Sequence, residues 1–298
     1  MLTDLNWPKA SAWLARESAD PSLLVVGVPS SKASIHPSRA DLTPLEIRRR
    51  LDRFSTFHGE LGIDFADVAV RDMGNWPVSE LDMVAMIGEV SRLAKDLPEA
   101  GLCLYVGGDN AITRPLVAAQ SDDPTSVGLI TFDAHHDVRS LEHGPTNGTP
   151  IRGLIEEHGL PGGNIVQIGI HSFSNSAVYR AYCDQAGITT VTVDQVERIG
   201  MKTAVDVALS QLSATCEKVY VDIDLDVLDS AFAPACPGAR PGGLSVRQLA
   251  LGVARCAAHP SVTAMDLVEV DASTDHDGRT LDVLAHLLLT AAAGFATR

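Results

Sequence analysis

The sequence predicts an α/β fold with a doubly wound, mainly parallel sheet of about eight strands. Short, almost uninterrupted apolar runs recur along the chain, and amphipathic segments of helical character separate them. Uninterrupted apolar strands are buried on both faces, and alternation of strands with helices is typical of parallel pairing. Several of the runs also end in acidic residues, as expected where a sheet of this class carries its ligand site.

Seven segments have the composition of buried strands: 23–29, 102–108, 127–133, 164–170, 188–194, 218–226 and 262–270. Amphipathic segments typical of helices occur at 44–54, 84–97, 203–212 and 246–258. The longest irregular stretch, APACPGARPGG at 233–243, directly follows a predicted strand. We therefore interpret it as an active-site loop rather than a linker. No internal repeat divides the chain, and we predict a single domain over residues 1–298.

Composition restricts the classes of partner and the cellular compartment. The chain has 298 residues, a hydrophobic fraction of 45% and a net charge of −15, which disfavours nucleic acid or anionic membrane as a partner. Its five cysteines form no CxxC pair, as is typical of reduced thiols in a cytosolic protein. The N-terminal sequence MLTDLNWPKASAW lacks the basic and apolar regions of a signal peptide, and no apolar run reaches the roughly 18–20 residues of a membrane span. We expect a cytoplasmic protein.

Polar, mostly acidic motifs end four of the predicted strands. They are GGDN at 107–110, DAHHD at 133–137, DIDLD at 222–226 and VEVD at 268–271. In open α/β sheets, ligands bind beyond the carboxyl ends of the strands. The sequence therefore predicts a functional site at this edge of the sheet.

Two of these motifs indicate a metal site. If DAHHD is extended, Asp133, His135 and Asp137 share one side and His136 points elsewhere. The three aspartates of DIDLD would likewise share a face, with the last two nearest the end of the strand. DAHHD alone is also compatible with a solvated polar loop. A buried strand with three acids on one face is costly without cations, however, so the two motifs together favour metal binding.

The ligand chemistry favours manganese. Four carboxylates, from Asp133, Asp137, Asp224 and Asp226, and one imidazole make a set too rich in oxygen for structural zinc, and magnesium prefers all-oxygen ligation. The four carboxylates carry a charge that two divalent cations would neutralise. Paired metals about 3.5–4 Å apart share a bridging water and deprotonate it near neutral pH. The predicted chemistry is hydrolysis at a carbon that hydroxide can attack.

These motifs, with NGTP, IGI, DLDVLD and PGGLS, occur in an order that resembles the ureohydrolases, the family of arginases, agmatinases and formimidoylglutamases. The resemblance extends over nearly the whole chain. It implies an arginase-like three-layer α/β/α fold and a binuclear manganese enzyme that hydrolyses guanidino or amidino C–N bonds. It also implies a homo-oligomer, either a trimer or a hexamer.

The resemblance also assigns roles to individual residues. The implied manganese ligands are Asn110, Asp133, His135, Asp137, Asp224 and Asp226. Glu269 matches the acid that binds the guanidinium or amidinium group of the substrate. Asn110 replaces a histidine of arginases and agmatinases, and because an amide oxygen is a weaker donor, we expect its metal site to empty first. Asn147 replaces a proton-shuttling histidine of arginases, which leaves the proton donor to the leaving amine open; Asp137 could hold the nucleophilic water and pass on its proton.

Both replacements, with FSNS at 173–176 and APxCPxxxPGGL at 233–244, resemble bacterial formimidoylglutamases. The implied reaction belongs to histidine degradation: metal-bridged hydroxide attacks the formimino carbon of N-formimino-L-glutamate, giving L-glutamate and formamide. This small anionic substrate carries two carboxylates. The candidate substrate-binding residues, besides Glu269, are Arg139, Asn147, Thr149, Arg152 and His171. We favour Arg139 because a guanidinium binds a carboxylate through two parallel hydrogen bonds.

Two other interpretations stay open at the level of sequence. One is an agmatinase, guanidinobutyrase or arginase acting on a guanidino substrate, which is disfavoured because both histidine positions have changed. The other is a metal-poor, non-catalytic member of the family, which only Asn110 favours. A substrate panel separates the first from a formimidoylglutamase, and metal analysis tests the second.

Overall fold

The apolar runs of the sequence become the strands of a central sheet, and the amphipathic segments become the helices around it. The computed structural model describes residue 4 and residues 6–298. The strands in this part of the chain are β1 (Leu23–Val28), β2 (Phe57–His58), β3 (Ile63–Asp64), β4 (Val70–Asn75), β5 (Leu102–Gly107), β6 (Val127–Phe132), β7 (Ile165–Ile170), β8 (Thr189–Thr192), β9 (Lys218–Asp224) and β10 (Val262–Val268). The α-helices are α1 (Ala10–Leu14), α2 (Thr43–Arg50), α3 (Met83–Lys95), α4 (Thr113–Ala118), α5 (Pro150–Glu156), α6 (Ala177–Ala186), α7 (Val193–Ile199), α8 (Met201–Ser213), α9 (Val246–Ala257) and α10 (Arg279–Phe295).

Eight of these strands form one sheet in the order β4-β1-β5-β10-β9-β6-β7-β8, and every neighbouring pair is parallel. Strands β2 and β3 pair separately as a short antiparallel ribbon. All seven predicted strands are present, which confirms the predicted doubly wound sheet. The eighth, β4, was not predicted, because Arg71, Asp72 and Asn75 give this edge strand a polar composition.

Helices cover both faces of the sheet and complete three layers. Along β1, Leu23 and Val25 pack into the apolar core on one face, whereas Val26 and Val28 pack into the core on the other. The first core is closed by α1, α2 and α7 to α10, and the second by α3 to α6. The expected α/β/α arrangement is confirmed. Among the described residues, no helix has both the length and the apolar character needed to cross a membrane.

Six of the seven predicted strands run one or two residues past their observed ends, and two of them show a clear local cause. The segment 188–194 stops being a strand at Thr192, because the Thr192 and Gln195 side chains form a reciprocal capping box that begins α7. The segment 218–226 ends as a strand at Asp224, and Leu225–Val227 forms a 3₁₀ turn. This turn removes the regular alternation that we expected to place all three DIDLD aspartates on one face.

Candidate metal centre

The carboxyl ends of β5, β6, β9 and β10 lie at the same edge of the sheet, and residues that follow β6, β9 and β10 or end them line a cavity of about 120 Å³. Four acids that we predicted as metal ligands or catalytic residues line this cavity: Asp137, Asp224, Asp226 and Glu269. His135 also lines the cavity. The topology of a parallel sheet therefore brings the predicted motifs together, although they are far apart in sequence.

Asp133, His135 and Asp226 form the tightest group of possible metal ligands. One ligand atom from each lies within 4.8 Å of the others. The Nδ1 atom of His135 is 2.7 Å from Oδ2 of Asp226 and 3.6 Å from Oδ1 of Asp133. The backbone N–H of Ala134 donates to Oδ1 of Asp226 over 3.0 Å, which fixes the DAHHD segment against the end of β9.

A sharp turn, rather than an extended strand, brings the DAHHD side chains together. Strand β6 ends at Phe132, and Asp137 has a φ of +53°. A positive φ is uncommon outside glycine and concentrates at functional sites. The expectation that His136 points elsewhere is correct, because its Nδ1 lies 2.7 Å from Oε1 of buried Gln167.

Asn110 connects the two sides of the site. Its backbone N–H donates to Oε1 of Glu269 over 2.7 Å, and its Nδ2 donates to Oδ2 of Asp137 over 2.7 Å. Its Oδ1 accepts a hydrogen bond of 2.7 Å from the Thr113 hydroxyl. Glu269 accepts a second hydrogen bond, of 3.0 Å, from Nδ2 of Asn147. The two asparagines that replace histidines therefore hold the two acids in place.

Crowding of buried charges shifts the pKa values of the tightest group. Burial, and then the charge of Asp226, raise the pKa of Asp133 to about 7. Burial opposes protonation of His135, but the charges and hydrogen bonds of Asp226 and Asp133 outweigh it and raise the pKa of the imidazole to about 11. The same histidine lowers the pKa of Asp226, against the opposite effect of burial.

In the remaining acids of the site, burial and neighbouring negative charges also disfavour the ionised form. Burial and the charge of Asp133 raise the pKa of Asp137 well above its usual value. Burial and the charge of Asp226 do the same for Asp224. Burial and the charge of Asp109 raise the pKa of Glu269 to about 8, although the N–H donors of Asn110 and Asn147 partly offset them.

This set of donors fits a divalent metal. Four buried carboxylates converge, and within the described part of the chain none of them forms an ion pair with a lysine or arginine. Buried carboxylates without cations are costly, and divalent metals that prefer oxygen with some imidazole supply the missing charge. Three of the ligands predicted from the sequence, Asp133, His135 and Asp226, lie close enough together to hold a metal ion.

The chain is similar to known proteins over most of its length. The model of the Arginase family matches residues 21–294. The chain is 38% identical to the formimidoylglutamase of Halalkalibacterium halodurans over 269 residues, which cover 89% of this chain and 84% of that protein. It is 34% identical to the formimidoylglutamase of Bacillus subtilis over 289 residues, which cover 95% and 90% of the two chains.

The chain belongs to the arginase family. As a member of that family, it is a hydrolase, and the resemblance found in the sequence is confirmed. The crystal structure of the Bacillus subtilis formimidoylglutamase superposes with a TM-score of 0.93 at 33% identity and covers 99% of this chain and 94% of that one. The Trypanosoma cruzi formiminoglutamase with Mn²⁺ shares the fold, with a TM-score of 0.89 at 23% identity and coverage of 98% and 99%.

The predicted substrate contacts of this arginase-family chain divide into two groups. Arg139 and Asn147 line the cavity with Glu269, as expected. Thr149, Arg152 and His171 are not among the lining residues.

Each of the three residues outside the cavity has a partner within the protein instead. The Thr149 hydroxyl donates to the carbonyl of Thr146 over 2.8 Å. The Arg152 guanidinium lies 4.2 Å from the ring centroid of Tyr182. The Nε2 atom of His171 is 2.9 Å from the carbonyl of Val227. That these three residues contact the substrate stays a prediction, and none of them lines the cavity.

Sequence reasoning missed several polar residues that line the cavity, among them Arg240 and Asn175. Arg240 lines the cavity and is exposed, as is Arg139. Asn175 also lines it, accepts from the backbone N–H of His136 over 2.9 Å and donates to the carbonyl of Ala134 over 3.0 Å. Both lie in motifs that we had singled out, the 233–244 loop and FSNS, but no pattern in the sequence indicated which residue of each motif faces the site.

Proposed function

We propose that the chain is a manganese-dependent formimidoylglutamase, which hydrolyses N-formimino-L-glutamate to L-glutamate and formamide in histidine degradation. The observation that carries this proposal is a cavity lined by both negatively and positively charged side chains. Buried acids suited to metal ions and to an amidinium lie beside two exposed arginines, Arg139 and Arg240. The two curated relatives described above are formimidoylglutamases, which supports the same substrate.

The two arginines suit the two carboxylates of this substrate. Among the described residues, neither Arg139 nor Arg240 forms an ion pair with a carboxylate, and Nη1 of Arg240 donates only to the backbone carbonyls of Pro237 and Ala239. A guanidinium binds a carboxylate through two parallel charged hydrogen bonds. In a chain of net charge −15, such local cations are required to admit a dianion. Arginine carries one carboxylate and agmatine none, so two arginines favour the formimino substrate.

Glu269 and Asn147 are suited to hold the reacting end of the substrate. Glu269 accepts from the amide of Asn147, whose Oδ1 accepts from the backbone N–H of Ile35 over 3.0 Å. Both polar groups of the Asn147 side chain are therefore used, and an amide has no proton of suitable acidity to give. We assign Asn147 to positioning Glu269, and Glu269 to accepting hydrogen bonds from the amidinium N–H groups.

Asn110, Asp133, His135, Asp137, Asp224 and Asp226 are the residues that would hold two Mn²⁺ ions. When bound, such ions supply Lewis acidity and make water nucleophilic near neutral pH. Water adds to the formimino carbon, the bond from that carbon to the glutamate nitrogen breaks, and the nitrogen leaves with a proton. Asp137 lines the cavity and is suited to take the proton of the water and return it to the leaving amine.

The proposal is tested by the release of glutamate from N-formimino-L-glutamate after loading with Mn²⁺. Arginine, agmatine and 4-guanidinobutyrate serve as the parallel substrates. We expect turnover of the formimino substrate alone, and its loss on chelation or in Asp224→Ala.

Each other outcome has a distinct meaning. Turnover of a guanidino compound alone would keep the metal site and refute the substrate. A protein that binds two ions without turning over any of the four compounds would refute the assigned reaction. A protein that stays free of metal in excess Mn²⁺ would refute catalysis and favour the non-catalytic interpretation.

A further inference from the structure

A buried polar network lies directly beneath Asn110 on the side away from the cavity. Thr113 follows Asn110 by one helical turn and has no exposed surface. Its Oγ1 is 2.7 Å from Oδ1 of Asn110 and also 2.7 Å from Oδ2 of Asp266 on β10. Asp266 accepts further hydrogen bonds from the hydroxyl of Tyr220, over 2.9 Å, and from the backbone N–H of Ile223, over 3.3 Å.

A count of hydrogens shows that this network admits two arrangements. A threonine hydroxyl has one hydrogen and two lone pairs, so Thr113 donates to only one of the oxygens that it faces: Oδ1 of Asn110 and Oδ2 of Asp266 at 2.7 Å, and Oδ1 of Asp222 at the longer distance of 3.5 Å. In the first arrangement it donates to Oδ1 of Asn110, while Nδ2 of Asn110 donates to Asp137. Tyr220 and Ile223 then supply the donors to Asp266.

The second arrangement follows from a 180° rotation of the Asn110 side-chain amide, which exchanges the positions of Oδ1 and Nδ2. Nδ2 then donates to Oγ1 of Thr113, and Thr113 donates its one hydrogen to Asp266. Every donor keeps an acceptor, and Oδ1 of Asn110 now faces the side of Asp137 as an oxygen ligand. The exchange is possible because Thr113 can either donate or accept and because Asp266 provides a second acceptor.

We propose that Thr113 is the positioning residue that allows Asn110 to bind Mn²⁺ through its amide oxygen. In the metal-binding arrangement, Thr113 accepts the N–H of Asn110 and passes its own hydrogen to Asp266. Without the hydroxyl, the buried Nδ2 would lose its acceptor when Oδ1 turned to the metal. This inference rests on the proposed function, because it concerns a metal ion of that site.

The test measures Mn²⁺ binding rather than activity. Thr113→Val removes the hydroxyl and keeps the shape, Thr113→Ser restores the hydroxyl, and Thr290→Val is the matched control. Thr290 is a buried threonine of α10 whose hydroxyl has no hydrogen-bond partner. Titration calorimetry, with electron paramagnetic resonance of free Mn²⁺, gives the number of ions and the affinity of each.

We expect two ions in the wild-type protein and an affinity for one of them that is about 10–100-fold weaker in Thr113→Val, as is typical when a partner of a metal ligand is removed. Thr113→Ser and Thr290→Val should bind as the wild type does. In an Asn110→Ala background, Thr113→Val should change the affinity little, because there is no amide left to position.

Several results would overturn the inference. Equal affinities in Thr113→Val and the wild type would do so, and so would a full effect of Thr113→Val in the Asn110→Ala background. If Thr113→Val does not fold, a crystal structure of the Mn²⁺-loaded wild type decides: Nδ2 of Asn110 must lie within hydrogen-bond distance of Oγ1 of Thr113. Failure of the wild type to bind two ions would instead refute the metal site of the proposed function.

Discussion

At the scale of single residues, the left-handed backbone of Asp137, with a φ of +53°, determines how the side chains of DAHHD are arranged. The acids and the histidine of DAHHD were identified because their types suit a metal. Their convergence, however, depends on the left-handed backbone of Asp137, which alternation along a strand does not predict. Arg240 was missed for the same kind of reason, since the direction of one side chain in an irregular loop depends on contacts with the rest of the fold.

Arg139 and Arg240 should control the binding of the substrate more than the chemical step. Replacement of either by glutamine removes a charged hydrogen bond worth about 1.5–3 kcal/mol, so KM for N-formimino-L-glutamate should rise roughly 10–100-fold with little change in kcat. Steady-state kinetics checks this expectation. Arg92→Gln, an exposed arginine that pairs with Glu89 on α3, is the control and should behave as the wild type. An unchanged KM in both variants would contradict the assigned role.

When a chelator removes the metal, the ionised carboxylate of Asp137 should destabilise the folded protein. The pKa of Asp137 is raised in the fold, so the folded state keeps a proton that the unfolded state releases above about pH 4. The free energy of unfolding therefore falls as pH rises above that value. We expect Asp137→Asn, which cannot ionise, to unfold at a higher temperature than the wild type.

Thermal unfolding in chelator at several pH values tests this prediction. The difference between the variant and the wild type should be larger at pH 8 than at pH 5. The variant should also lose at least about 100-fold in kcat, as is typical when a general acid–base residue is removed. If Asp137→Asn is less stable than the wild type at pH 8, the ionised Asp137 carboxylate does not destabilise the folded state and the prediction is wrong.

At the scale of elements, strands were predicted where they are apolar and missed where they are polar. The central strands are buried on both faces, and their composition reports this burial directly. The edge strand β4 is partly exposed and carries polar residues, so nothing in its composition separates it from a loop. Strand ends were also uncertain, because the cap at Thr192 depends on a local side-chain exchange.

The turn after β5 depends on close contact between backbones. A Cβ atom on Gly108 would lie 1.6 Å from the carbonyl oxygen of Ser30, and the carbonyl of Gly108 accepts from the backbone N–H of Glu269. Gly108→Ala should therefore displace both Asn110 and Glu269. We expect a loss of about 1–3 kcal/mol in the free energy of unfolding, as for other overpacked sites, together with weaker binding of Mn²⁺.

Denaturant unfolding and a Mn²⁺ titration measure these two effects. Gly88→Ala is the control, because Gly88 lies within α3 and a Cβ atom there would meet nothing within 4 Å. That variant should gain about 0.5–1 kcal/mol, since alanine favours a helix over glycine. Equal stabilities of the two alanine variants would contradict the role of the Gly108 contact.

At the scale of the whole molecule, the metal site joins separate parts of the sheet. Its proposed ligands come from the ends of β5, β6 and β9, so bound ions would link β5 and β6 to β9, a strand that lies much further along the chain. The sequence predicted this convergence because parallel strands share one carboxyl edge. A single domain over residues 1–298, a cytoplasmic location and a trimer or hexamer remain predictions.

Binding of Mn²⁺ should therefore raise the thermal stability of the whole chain. At a free concentration 100 times the Kd, one ion adds about 2.7 kcal/mol to the free energy of unfolding. For a chain of this size, this corresponds to a rise in Tm of about 4 °C, which calorimetry with and without a chelator measures. Asp224→Ala should lose most of this rise, and an equal rise in that variant would place the stabilising ion elsewhere.

The position of β10 has a consequence for how the chain is made. This last strand lies between β5 and β9, in the middle of the sheet. A ribosome adds about 5–20 residues per second. Until residues 262–268 emerge, the other strands of the eight-stranded sheet can pair only within two separate groups, β4-β1-β5 and β9-β6-β7-β8. Each group ends in an apolar edge, the kind of surface that invites aggregation. We expect nascent chains to depend on chaperones until residues 262–268 have emerged, and the site to form only after that point.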